Sequence, residues 1–144
     1  MPGDSTLGQL ADSDWATFMA KLEAAEHELV QGRPAALKAL WSHSDDVSIC
    51  GAFGGVESGW DKVASRLDWA SSQFSDSTPS REEIRSAVGA VFAYIVQTEH
   101  IRFRVPGRTE ESTLELRVTM VFRREVLSRS KNPLKNATIA HPPG

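Results

Sequence analysis

Between Ile84 and Phe122 hydrophobic residues return at every second position within separate segments, and no other feature constrains the fold as strongly. Ile84, Ser86 and Val88 alternate with Glu83, Arg85 and Ala87, and Ile101, Phe103 and Val105 alternate with His100, Arg102 and Arg104. Leu114, Leu116, Val118, Met120 and Phe122 share one side of a third segment, with Thr113, Glu115, Arg117, Thr119, Val121 and Arg123 on the other. A period of two sends successive side chains to opposite faces, so these segments are strands, and short polar loops such as 106–110 join them as an antiparallel meander. Residues 91–96 are apolar at both parities and read as a central strand.

The first half follows the helical period instead. Trp15, Phe18, Leu22, Ala25 and Leu29 form a stripe that predicts a helix over 14–31, ended by Gly32. Pro34 opens a second, short helix with Leu37, Leu40 and Trp41 on its apolar face, and the polar run 42–46 breaks it. Residues 47–52 read as a strand, and the glycines at 51, 54 and 55 around Phe53 predict a bend or bulge. Ser58 with Asp61 makes a capping-box-like start for a third helix, whose stripe is Trp60, Val63, Leu67, Ala70 and Phe74. Residues 75–80 read as a loop. Helices grouped ahead of an antiparallel sheet define an α+β chain. The sheet carries apolar residues on both faces while the helices cover one, which implies a homodimer through the other.

Composition narrows the function classes. A chain of 144 residues is one domain: a small, polar, flexible stretch over 1–12, a domain over 13–126 and a tail of different character over 127–144. The net charge of −3 gives no general attraction for phosphate backbones, so a nucleic-acid partner is not expected. A single cysteine, Cys50, forms no internal disulfide and no thiolate cluster. No pair of histidines has metal-ligand spacing, and neither a phosphate-loop nor a dinucleotide-binding glycine pattern is present, so no metal and no cofactor is expected. No apolar stretch is long enough to span a bilayer and no basic–apolar leader opens the chain, which leads to the expectation of a cytoplasmic protein without a membrane partner.

The run Leu40-Trp41-Ser42-His43-Ser44-Asp45-Asp46-Val47, the segment from Gly51 through Phe53-Gly54-Gly55 to Gly59-Trp60, and Leu116-Arg117-Val118-Thr119-Met120-Val121-Phe122-Arg123-Arg124-Glu125 are similar to a SnoaL-like subgroup. Over residues 14–125 the chain resembles the nuclear transport factor 2 superfamily, which also holds ketosteroid isomerase and the SnoaL-like cyclases. The resemblance implies a cone-shaped curved antiparallel sheet wrapped on three N-terminal helices. It also implies a mostly apolar pocket between helices and sheet that takes a small organic ligand. Two positions depart from the pattern. Met120 stands where relatives carry a histidine, and 126–144 lacks the final strand's Trp and His-x-His-x-Asp run, so that strand is replaced, shortened or missing.

For that pocket, Trp15, Phe18, Phe53, Trp60 and Tyr94 are candidate walls, with plain core packing as the alternative. Thr119 and Arg117 share a face; if that face is concave, Arg117 or Tyr94 steadies an oxyanion while Glu99 moves a proton. The competing reading of Arg117 and Glu99 is an ordinary cross-strand ion pair. His43 beside Asp45 and Asp46 reads as a polar helix-to-strand turn rather than a base with its orienting carboxylate. Two functions stand: proton transfer next to a carbonyl (isomerase, cyclase or hydratase type), or a non-catalytic ligand-binding or dimerisation module.

Overall fold

The computed structural model describes residues 2–51, 54–125 and 134–140. Helix α1 (Pro2–Leu29) begins well before its apolar stripe does; once a helix is nucleated, each added residue gains a hydrogen bond at little cost. Phe18, Met19, Leu22 and Ala25 are buried along it. Gly32, at φ +86°, turns the chain out of the helix while its N–H donates to the Leu29 carbonyl at 3.0 Å. Helix α2 (Ala35–Ala39) buries Leu37, strand β1 (Ser48–Cys50) follows, and β2 (Val56–Ser58) folds back on it. Helix α3 (Trp60–Ser71) buries Val63 and Leu67. Its N-cap is Gly59, without a side-chain cap, and Ser58 belongs to β2, so the capping box expected from Ser58 and Asp61 does not form.

Four more strands follow among the described residues: β3 (Ser75–Val88), β4 (Phe92–Arg104), β5 (Ser112–Arg124) and β6 (Leu134–Ala140). The sheet order is β2-β1-β6-β5-β4-β3. All neighbours are antiparallel except β1 and β6, which run parallel. The apolar segment around 91–96 and the alternating segment around 101–105 belong to one strand, β4. Residues 75–80, expected as a loop, open β3 instead, because pairing with β4 overrides the weak strand preference of a polar run. As an edge strand β3 tolerates Pro79, whose missing N–H would break a central ladder. The final strand is present: β6 lies between β1 and β5, with Ile49 opposite Ile139 and Met120 opposite Ile139.

The helices lie against one face of this curved six-stranded sheet. Val118, Met120, Phe122, Ala93, Ile95 and Ile139 meet α1, α2 and α3 there. A second cluster of Val30, Phe74 and Ile101 packs near the other end of the same layer. Arg123 ties the 42–46 turn to the sheet: its Nη1 donates to Asp46 Oδ2 at 2.6 Å and its Nη2 to Ser42 Oγ at 2.6 Å. The Arg123 guanidinium holds the Asp46 carboxyl far below the usual range.

Candidate functional site

Between the two apolar clusters lies a cavity of about 160 Å³. Helices α1 and α3, strands β1, β3, β4, β5 and β6, and Phe74 contribute to its wall, which is largely hydrocarbon. Met120, at the position where a histidine is expected from the resemblance, is 1% exposed and forms part of that wall.

The polar part of the wall is concentrated on α1, β3 and β4. Glu99 projects inward from β4, on the same face as Ile95, Gln97 and Ile101. Gln97 is fully buried; its Nε2 donates to Glu99 Oε2 at 2.7 Å, and its Oε1 accepts from Arg81 Nη1 at 3.2 Å. A buried amide between a carboxylate and a guanidinium uses its donor and acceptor ends correctly, and so fixes the Glu99 carboxylate. Arg81 stands opposite Glu99 in the β3–β4 register and also lies 3.8 Å from Glu23.

Glu26 on α1 completes the group. Part of its surface opens on the cavity, while protein surrounds its carboxyl. That dehydration, first, and the charge of Glu99, second, push its pKa well above the ordinary carboxylate range; Arg81 pulls the other way and Glu23 adds to the rise. Glu26 therefore keeps its proton to a higher pH than an isolated carboxyl does. The wall of this largely hydrocarbon cavity thus carries one carboxyl of raised pKa and one carboxylate held by a buried amide.

Of the described residues expected as ligand walls or catalytic groups, Glu99 alone lines the cavity. Arg117 and Thr119 are on the opposite, outer face of β5, because Val118 and Met120 take the inward parity. Arg117 is exposed opposite Thr98, while Glu99 faces Leu116, so neither an oxyanion cation in the cavity nor the Arg117–Glu99 ion pair forms. Tyr94 is likewise on the outer face, 40% exposed. Trp15 and Phe18 pack against Phe122, with ring centroids 5.5 and 5.1 Å from it, as core rather than wall. Trp60 stacks on His43 at 3.9 Å, and the His43 Nε2 lies 2.8 Å from the Lys38 carbonyl, which fixes His43 as part of the turn. Phe53 lies outside the described residues.

Glu26 and Arg81 were legible only indirectly. Glu26 falls one helical turn after Leu22 and one before Val30, a charge set in a buried stripe. Arg81 follows from pairing the hairpin that closes near residue 90, once 75–80 is known to be strand.

No family model matches the sequence, and no curated protein matches it. Solved structures do match in fold. A scytalone dehydratase-like protein from Novosphingobium aromaticivorans superposes with a TM-score of 0.71 at 13% identity, covering 98% of this chain and 87% of that one. A dehydratase-like protein of the nuclear transport factor 2-like family from Streptomyces avermitilis gives 0.68 at 19% identity, over 90% and 95% of the two chains. A nuclear transport factor 2-like superfamily protein from Salmonella enterica gives 0.68 at 16%, over 87% and 91%. The chain thus has the nuclear transport factor 2-like fold, a curved α+β cone. No helix among the described residues is long and apolar enough to cross a membrane.

Proposed function

We propose that the chain binds a small, largely apolar organic molecule in the cavity and moves a proton next to that molecule's carbonyl group. The observation that carries this is that Glu26 and Glu99 both line a largely hydrocarbon cavity, with the Glu99 carboxylate held by Gln97. Protonated Glu26 donates a hydrogen bond to the carbonyl oxygen, the role that the sequence suggests for Arg117 or Tyr94. The Glu99 carboxylate, oriented by Gln97, takes the proton from the adjacent carbon, and the electron pair of that C–H bond moves into the enol. Return of that proton from Glu99 to a different carbon isomerises the molecule. Its delivery to a hydroxyl on the β-carbon dehydrates it: the hydroxyl leaves as water, the enol electrons form the new C=C bond, and the enol O–H proton returns to Glu26. Two fold relatives are described as dehydratase-like, which agrees with the second outcome.

A non-catalytic ligand-binding module is the second reading, favoured by the thioether of Met120 in place of a titratable group. Cyclohexanone in D2O separates the two by NMR. Protein-dependent exchange at the carbon next to the carbonyl, reduced about 100-fold or more by Glu99→Gln, is the catalytic outcome. Ketone binding seen as protein shift changes, with exchange no faster than in buffer, leaves the binding module. We also propose a homodimer through the outer sheet face, where Phe92 is 59% and Tyr94 40% exposed. Native mass spectrometry checks it: a species at the 15.8 kDa monomer mass alone removes the dimer.

A further inference from the structure

The two arginines that line the cavity stand on different parts of the sheet. Arg81 is on β3, where it donates to Gln97 and lies 3.8 Å from Glu23; Gln97 in turn bonds to Glu99 on β4. Arg66 reaches the wall from α3, beside Gly51, the residue after β1. In the sheet order β6 and β5 lie between β1 and β4, a separation of three strand spacings, roughly 14 Å along the curve. Ile49, Ile139, Val118 and Met120 line the cavity from β1, β6 and β5, so the stretch from Arg66 to Glu99 is hydrocarbon.

Arg66 is held in place without a carboxylate. A Cβ on Gly51 would stand 2.6 Å from its Nη2 and 3.0 Å from its Cζ and Nε, so the guanidinium fills the space that a side chain at 51 would need. Because Gly51 itself lines the cavity, the charged end of Arg66 is at that wall. Its Nη2 donates to the Gly54 carbonyl, and its Cζ lies 4.8 Å from the centroid of the Trp69 ring. Among the described residues it forms no ion pair, and its Nε and Nη1 donate to no acceptor. A guanidinium packed on an aromatic ring, with one N–H tied to a carbonyl, offers its remaining donors in a fixed fork that suits a carboxylate.

We propose that the cavity takes organic acids, the carboxylate bound by Arg66 beside Gly51 and the hydrocarbon body running across β6 and β5 toward Glu99. The proposal rests on reading this cavity as a ligand site with its chemistry at Glu26 and Glu99, and it names the charge that the opposite end selects. A keto acid whose carboxylate is several bonds from its carbonyl spans the two ends. A neutral ketone of the same shape leaves the free donors of Arg66 to water.

The acid 3-(4-oxocyclohexyl)propanoate and its primary amide share one keto-bearing body and differ in charge. Calorimetric titration at about pH 7, where an ordinary carboxylic acid is ionised, compares them directly. The acid is expected to bind at least about 10-fold more tightly than the amide. Arg66→Met should bring the two close to parity. Gly51→Ala keeps the arginine and moves it, because the added methyl meets the end of a flexible side chain rather than backbone. It should remove most of the preference in the unaltered chain and change nothing further in an Arg66→Met background. Equal affinity for acid and amide in the unaltered protein, or a preference for the acid that survives either substitution, overturns the acid proposal and leaves the cavity reading standing. Binding of neither probe overturns the cavity reading itself.

Discussion

Replacing Gln97 by leucine tests how the candidate site is held. The two side chains are close in size, so the substitution leaves almost no cavity, and its effect is mainly that of the lost hydrogen bonds. Gln97 is fully buried, and its 2.7 Å bond to the Glu99 carboxylate is charge-assisted, of a kind worth about 1.5–3 kcal/mol. The 3.2 Å bond from Arg81 contributes less, roughly 0.5 kcal/mol, because the Arg81 side chain is 26% exposed and recovers water. Burying a hydrocarbon in place of an amide returns about 1 kcal/mol. The net expected loss is about 2 kcal/mol, which for a chain of this length lowers Tm by roughly 4–8 °C. Urea unfolding followed by tryptophan fluorescence measures it, with an unchanged m value as evidence that only stability moved. The same substitution in a Glu99→Gln background should cost much less, since the charged acceptor is gone. Equal costs in the two backgrounds, or no cost in either, would show that Gln97 does not orient Glu99.

Two further outcomes follow from the same geometry. Because Glu26 has a folded-state pKa raised above its unfolded one, the unfolded chain loses its proton first, and stability falls as the pH climbs from the ordinary glutamate range through the raised value. Glu26→Gln should flatten that fall in a series of thermal melts, and an unaltered slope would show that Glu26 does not carry it. Ile139 is 8% exposed and reaches both the core and the cavity from β6, so Ile139→Ala should cost about 2–4 kcal/mol in urea unfolding; a loss under about 0.5 kcal/mol would detach β6 from the core.

The fold was readable wherever one face of an element is wet and the other dry. The inward set Leu114, Leu116, Val118, Met120 and Phe122 sits as its period of two requires. The α1 stripe is likewise buried where the helical period places it. Residues 75–80 escaped because an edge strand with polar side chains has no hydrophobic alternation, and only its backbone pairing with β4 defines it. Glu99 faces the cavity and Arg117 does not, and each outcome turns on the parity of its own strand. Periodicity separates two faces but does not say which one is concave; the buried Met120 parity settles it. Trp15, Phe18 and Trp60 show the same limit on helices, since a large aromatic residue on an apolar stripe packs equally well as core or as wall. Glu26 and Arg81 join Glu99 only through contacts between elements far apart in the chain, which no local pattern records.

The position of β6 sets an order on assembly. Strands β1 and β2 are made early, β3, β4 and β5 later, and the strand that joins these two parts of the sheet is made last. Until residues 134–140 leave the ribosome, β1 and β5 each present an unpaired edge, and the ladder between Ser48 and Thr138 spans most of the chain. Contacts so distant in sequence slow folding and leave edges open to pairing with other chains. A nascent chain stalled before Leu134 is therefore a sheet in two pieces, with each open edge a template for aggregation, and the last strand acts as the lock that makes the cone a single object.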